Sequence, residues 1–324
     1  MATAVQIAKF GGTEVLAVVE VQVGDPGPGE ARVRHEAIGL NFIDTYHRSG
    51  LYPHPLPGIL GVEGAGIVEA VGAGVTLVKP GDRVAYASST LGAYASHRVM
   101  PAWNLVRLPD AIGTDTAAAM FLAGLTVQYL FRQTFPLRGG ETVLFHAAAG
   151  GVGLIACQWA RALGVTMIGT AGSDEKAALA REHGCTHVIN YRREDFVARV
   201  RELTGGKGVP VVYDGVGKDT FIGSLDCLSR RGMMVSYGNA SGAVPPFSLA
   251  ELAKRQSLFV TRPSLFHYAT TREELEPMAA ELFGLVGAGK IRVDVRQRYA
   301  LADAARAHRE LESRSTTGSS ILVP

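Results

Sequence analysis

The strongest constraint in the chain lies near its middle. Residues 142–146 suit a β-strand and pass without a spacer into Ala147-Ala148-Ala149-Gly150-Gly151-Val152-Gly153. Beyond that turn, Val152, Ile155, Trp159 and Leu163 recur at the spacing of one helical face. A strand, a glycine turn and a helix in this order point to a dinucleotide. Glycine lets the backbone approach a pyrophosphate, and the helix N-terminus offers it N–H groups and a positive dipole end. The string reads A-x-G-x-x-G, with Ala148 where the first glycine usually stands.

The segments that follow fit the fold such a turn needs. Strand-like runs at 165–170, 187–189, 209–213, 233–237 and 258–261 alternate with helix-like stretches at 174–183, 194–203 and 219–229. The strand runs are continuously apolar, as a sheet covered on both faces requires. We therefore expect an α/β Rossmann domain with a doubly wound parallel sheet. The first ~120 residues differ, with short strands near 31–38, 64–71, 83–87 and 94–100 between Gly, Pro and Asp turns, the grammar of a β-rich module. A helix is expected at 116–131. After Pro263 come helices at 272–287 and 301–312 and strands at 291–295 and 319–323.

Composition narrows the function. The chain has 324 residues, 47% hydrophobic and 19% charged, with a net charge of +2. That apolar content excludes intrinsic disorder, and so small a basic excess does not suit a nucleic-acid binder. No apolar run of the ~18 residues needed to span a bilayer is present. Three scattered cysteines do not make a disulfide framework, so a soluble, cytoplasmic protein is expected.

The end of the second expected strand bears on which dinucleotide binds. An NAD site usually places an acidic residue about 20 residues on, against the ribose 2′-OH. Ala171 stands there, 18 residues past Gly153. A small residue leaves room for a 2′-phosphate, with Ser173 as hydrogen-bond donor and Lys176, Arg192 or Arg193 as charge. Asp174 is the competing feature, since it can serve a 2′-OH. The balance favours NADPH.

The segment from Gly140 to Gly153, continuing to Gln158 and Arg161, resembles the signature of the zinc-free quinone oxidoreductase (zeta-crystallin-like) branch of the medium-chain dehydrogenase/reductase superfamily. Gly61-Val62-Glu63-Gly64-Ala65-Gly66, with Gly72 and Val75, resembles the superfamily's zinc alcohol dehydrogenase motif, with Val62 where zinc enzymes carry histidine. Asn41-Phe42-Ile43-Asp44-Thr45-Tyr46 occupies the place of a cysteine zinc ligand, and residues 1–120 contain no cysteine. The resemblance implies a GroES-like β-rich catalytic domain from 1–123 and 263–324, a Rossmann NADPH-binding domain at 124–262, and a homodimer.

It also implies roles. Asn41, Asp44, Tyr46 and Tyr52 become catalytic candidates, with Phe42, Thr126 and Tyr129 beside the nicotinamide. Gly150, Gly151 and Val152 face the pyrophosphate. Gly172, Ser173, Lys176 and Tyr191 face the adenosine end, and Gly238, Asn239, Ser241, Pro263, Ser264, Leu265 and Arg314 complete the cofactor site. No metal is expected, because a zinc site needs three protein ligands and the motif ligands are replaced. Without zinc the acceptor must take hydride readily, as a quinone does by spreading charge over its ring. The expected activity is NADPH-dependent reduction of a quinone or other electrophilic acceptor. Reduction of an activated alkene is the alternative on the same scaffold, and a non-catalytic NADPH-binding or RNA-binding protein is the alternative from another class.

Overall fold

The computed structural model describes residues 1–324 and divides into two compact units: residues 1–125, 268–288 and 292–324, and residues 126–267 with 289–291. The second unit is built on six parallel strands, Thr142–Phe145, Thr166–Ala171, His187–Asn190, Val209–Asp214, Leu228–Ser236 and Phe259–Thr261. In the sheet they stand third, second, first, fourth, fifth, sixth, the Rossmann order, with its reversal between the first and fourth strands. Helices Gly151–Ala162, Asp174–Glu182, Phe196–Leu203 and Phe221–Cys227 follow the first four strands in turn. Leu144, Ile168, Ile189, Val212 and Met234 are buried in one apolar cluster with Phe221 and Leu225. This explains why the strands are apolar without alternation.

A buried polar cluster holds the carboxyl ends of these strands in register. The His146 ring places Nδ1 3.0 Å from Thr170 Oγ1 and Nε2 2.9 Å from Ser224 Oγ. Ala147 N donates to Thr170 Oγ1 (3.3 Å) and Ala148 N donates to the Thr170 carbonyl (2.9 Å). The first two residues of the glycine turn are thus fastened to the second strand.

The first unit is β-rich. One sheet runs Val295–Ala300, Ser319–Val323, Glu30–Leu40, Glu63–Val71, Arg83–Ala87, Val106–Arg107, with His97–Pro101 also paired to Glu30–Leu40. The C-terminal strand lies antiparallel to Glu30–Leu40, Ile321 opposite Gly39. A smaller sheet joins Ala17–Val21, Ala2–Ile7 and Gly58–Ile59.

Three local features depart from the sequence reading. The strands Ala2–Ile7 and Ala17–Val21 were not expected, because neither carries a long apolar run; they pair with one another from Ala2↔Val21 to Gln6↔Ala17. The helix Phe42–Ser49 spans only about two turns and holds β-branched and aromatic residues that favour strands. Asp44 compensates by accepting a hydrogen bond from Asn41 N at the helix start (2.9 Å). The strand expected at 291–295 lies at Val295–Ala300, and Ile291 is instead a buried packing residue.

Candidate active site

The glycine turn has the shape its sequence implies. Ala147 takes a left-handed backbone (φ 56°), and Gly150 precedes helix Gly151–Ala162 with no side-chain cap. The helix therefore presents its first-turn N–H groups to a ligand and not to a side chain. A Cβ at Gly153 would stand 2.4 Å from the Ala147 carbonyl oxygen and 2.6 Å from that of Ala148. Gly153 is needed for this packing. At Gly150 the only atom within 4 Å would be the Ala147 oxygen, at 3.3 Å, so the approach over Gly150 is open. These features fit a pyrophosphate.

The sequence-derived residues of this unit gather at one end of the sheet. Gly172, Ser173 and Lys176 follow the second strand, Tyr191 the third, Gly238, Asn239 and Ser241 the fifth, and Pro263, Ser264 and Leu265 the sixth. Ser173 caps the helix Asp174–Glu182 by accepting from Lys176 N (3.2 Å), which sets Lys176 on its first turn. Asp174 is committed elsewhere: Asn190 Nδ2 donates to Oδ1 (2.8 Å) and Arg193 pairs with Oδ2 (2.7 Å). Asp174 and Arg193 are thus paired with one another, with both side chains more than half exposed. Ala171 is buried. The Ser241 hydroxyl donates to the Val216 carbonyl (2.9 Å) and accepts from Asp219 N (3.0 Å), tying its loop to the one after the fourth strand. Thr126 and Tyr129 share the last turn of helix Thr114–Tyr129.

In the first unit, Asn41, Phe42, Asp44 and Tyr46 are brought together at the start of helix Phe42–Ser49. The rings of Tyr46 and Tyr52 meet edge to face at 5.3 Å. Asn41 Nδ2 donates to Glu63 Oε2 (2.8 Å), and Leu122 N donates to Glu63 Oε1 (2.6 Å). Glu63 therefore fixes the orientation of the Asn41 amide. Asp44 Oδ2 accepts from Asn41 N (2.9 Å) and from Tyr94 Oη (3.0 Å). Both carboxyls are fully enclosed, and burial raises Asp44 to about 7 and Glu63 to about 8. Arg314 lies in this unit just past helix Ala304–Glu312, with φ 59°.

Known proteins share this fold. The family described as Alcohol dehydrogenase GroES-like domain matches residues 27–110, and the family described as Zinc-binding dehydrogenase matches residues 151–283. A quinone oxidoreductase of Pseudomonas aeruginosa is 60% identical over the whole of both chains. The structure of an Escherichia coli quinone oxidoreductase complexed with NADPH superposes with a TM-score of 0.98 at 57% identity, covering 99% of this chain and 100% of that one. The chain belongs to the quinone oxidoreductase branch of the medium-chain dehydrogenases/reductases. A 2-haloacrylate reductase from a Burkholderia species is 48% identical over 100% of this chain and 99% of its own length.

For a member of this superfamily the replaced zinc ligands matter. Val62 is fully buried, and Asn41 spends its side-chain amide on Glu63. No group of three His, Cys, Asp or Glu side chains is placed to hold a metal ion. Cys157, Cys185 and Cys227 are free and buried.

Sequence reasoning did not single out Glu63, Tyr94 and His308, which hydrogen bonds join to the candidates Asn41 and Asp44. Glu63 carried a signal, being a lone acid between glycines in an apolar strand. Tyr94 and His308 carried none, because only tertiary packing brings them to Asp44.

Proposed function

We propose that this chain reduces quinones with NADPH and uses no metal ion. The observation that carries the reading is the uncapped helix behind an open Gly150, followed by an adenosine end where Ala171 is small and Asp174 is engaged by Asn190 and Arg193. NADPH supplies a hydride when bound. The residues of the chain bind it, orient it and exclude water, and proximity provides much of the rate.

In this reading Gly150, Gly151 and Val152 hold the pyrophosphate, and Ser173 and Lys176 hold the 2′-phosphate beside Gly172 and Tyr191. Asn41, its amide aimed by Glu63, works with Phe42, Asp44, Tyr46 and Tyr52 on the acceptor side, where neutral donors stabilise a developing oxyanion. Thr126 and Tyr129 flank the nicotinamide. Gly238, Asn239, Ser241, Pro263, Ser264, Leu265 and Arg314 complete the cofactor site. The cofactor domain is assigned to 124–262 and the catalytic domain to 1–123 and 263–324.

Lys176→Ala is expected to weaken NADPH binding by ~1–3 kcal/mol, the scale of a charge-assisted hydrogen bond, and to leave NADH binding unchanged. Titration of each cofactor by fluorescence checks this, and equal losses for both contradict the 2′-phosphate role. Prolonged dialysis against a chelator is expected to leave the rate of benzoquinone-dependent NADPH oxidation intact. A loss restored by added zinc refutes the metal-free mechanism.

We also propose a cytoplasmic homodimer. No helix is long and apolar enough to cross a membrane. The edge strand Phe259–Thr261 carries an exposed Phe259, which supports pairing through that edge.

A further inference from the structure

A chain of hydrogen bonds runs from Asp44 to the surface within the first unit. Tyr94 Oη lies 3.0 Å from Asp44 Oδ2 and 3.0 Å from His308 Nε2. His308 Nδ1 lies 3.1 Å from Arg48 Nη1, and the Arg48 guanidinium grips Glu312 with two bonds of 2.9 and 2.7 Å. Asp44, Tyr94 and His308 are fully buried, and Arg48 nearly so.

Donor and acceptor chemistry fixes the direction of every bond. Arginine only donates, so His308 Nδ1 accepts from Arg48. Neutral His308 then carries its proton on Nε2 and donates to the Tyr94 oxygen. The Tyr94 hydroxyl has a single proton, and it goes to Asp44 Oδ2. Asn41 N donates to that same oxygen. Asp44 Oδ1 is buried with no hydrogen-bond partner. With Oδ2 taken by two donors, a proton held by Asp44 resides on Oδ1.

We propose that Tyr94 and His308 are positioning residues for the reaction: they fix the proton of Asp44 on Oδ1 and govern how readily that carboxyl loses it. This rests on the placement of Asp44 beside the acceptor made above. A neutral Asp44 spares the acceptor a neighbouring carboxylate while negative charge develops on its oxygen, so hydride transfer slows as Asp44 ionises. Burial raises the Asp44 carboxyl to about 7, and the Tyr94 hydrogen bond opposes that rise. His308 itself stays neutral, held down to about 3 by burial and by Arg48. The other ionisable groups around Asp44 are Glu63 on strand Glu63–Val71, Arg48 on the same helix, and Glu312, which neutralises Arg48. Glu63 is raised to about 8 and is largely uncharged where Asp44 titrates.

The test is the pH profile of kcat/KM for NADPH and 1,4-benzoquinone, from pH 5.5 to 9, with circular dichroism as the control for folding. The wild-type protein is expected to lose activity as pH rises through about 7. Tyr94→Phe removes one of the two donors to Oδ2 and should move that falling limb up by about one pH unit. His308→Leu should move it the same way. His308→Gln keeps an acceptor for Arg48 and a donor for Tyr94, and should return the limb to the wild-type position. Asp44→Asn should abolish the limb. A limb that disappears in Asp44→Asn but stays fixed in Tyr94→Phe overturns the proposal and leaves the site reading standing. A limb that persists in Asp44→Asn overturns both. Where His308→Leu does not fold, Tyr94→Phe and Asp44→Asn decide the matter alone.

Discussion

Gly150→Val is expected to lose NADPH binding by at least about 100-fold, roughly 2.7 kcal/mol, while the protein still folds. Its backbone (φ −81°) suits any L-residue, and a Cβ there meets only the Ala147 oxygen at 3.3 Å. The valine methyls therefore project into the space over the helix N-terminus, where we place the pyrophosphate. They displace the phosphate from the N–H groups and the dipole that attract it. Gly153→Ala provides the contrast. Its methyl group would stand 2.4–2.6 Å from the backbone of Ala147 and Ala148, so that change should disrupt the turn itself and lower Tm. Calorimetric titration with NADPH, beside thermal melts of both variants, separates the two effects. A Gly150→Val protein with wild-type affinity contradicts the placement of the cofactor.

Glu63→Gln should move activity and stability in opposite directions. Leu122 N holds one oxygen of residue 63, so the amide nitrogen of a glutamine there must face Asn41. Asn41 Nδ2 already points at that position, and two donors cannot face each other. Above about pH 8, where wild-type Glu63 is a carboxylate, the Asn41 amide of the variant must therefore turn over relative to wild type. Misplacement of one group on this scale is expected to cost about 100-fold in kcat/KM in that pH range.

The stability change follows from linkage. Burial raises Glu63 from its ordinary 4.5 to about 8, so the folded state holds a proton that the unfolded state releases. The stability this contributes is whole below pH 4.5 and is lost progressively as pH rises to about 8, at roughly 1.4 kcal/mol per pH unit. Glutamine stays neutral throughout. The stability of Glu63→Gln relative to wild type should therefore rise steadily between pH 5 and pH 8, to a gain of a few kcal/mol, and the Tm difference should rise with it. His35 and His308, held down to about 4 and about 3, shift stability with the opposite sign below pH 6.5. They are common to both proteins and cancel in the comparison. Unchanged kcat/KM above about pH 8, or a Tm difference independent of pH, contradicts the role of Glu63.

The parallel sheet was legible in the sequence because its strands are covered on both faces and so read as unbroken apolar runs. The glycine turn was legible because its chemistry is local: strand, turn and helix are contiguous between Thr142 and Ala162. The replaced zinc ligands were equally plain, at Val62 and in the cysteine-free block 41–46. The helix Phe42–Ser49 was hidden because its residues favour strands, and one long-range bond, Tyr94 to Asp44, helps to hold its first turn. In the chain Asp44, Tyr94, His308, Arg48, the anchoring bond from Arg48 to Glu312 joins residues 264 positions apart, and no local pattern marks residues that meet only after folding. Asp174 was the one ambiguous signal at the adenosine end. Its bonds to Asn190 and Arg193 come from partners that its own sequence neighbourhood does not reveal.

Hydride transfer from NADPH to a quinone can be separated from alkene reduction by one competition experiment. The protein is given NADPH with equal concentrations of 1,4-benzoquinone and a 2-alkenal, and both products are quantified as the cofactor is consumed. Hydroquinone should form in one-to-one ratio with the NADPH oxidised, with little saturated aldehyde. NADPH consumption that yields saturated aldehyde and no hydroquinone would rule out quinone reduction and assign the site to activated alkenes.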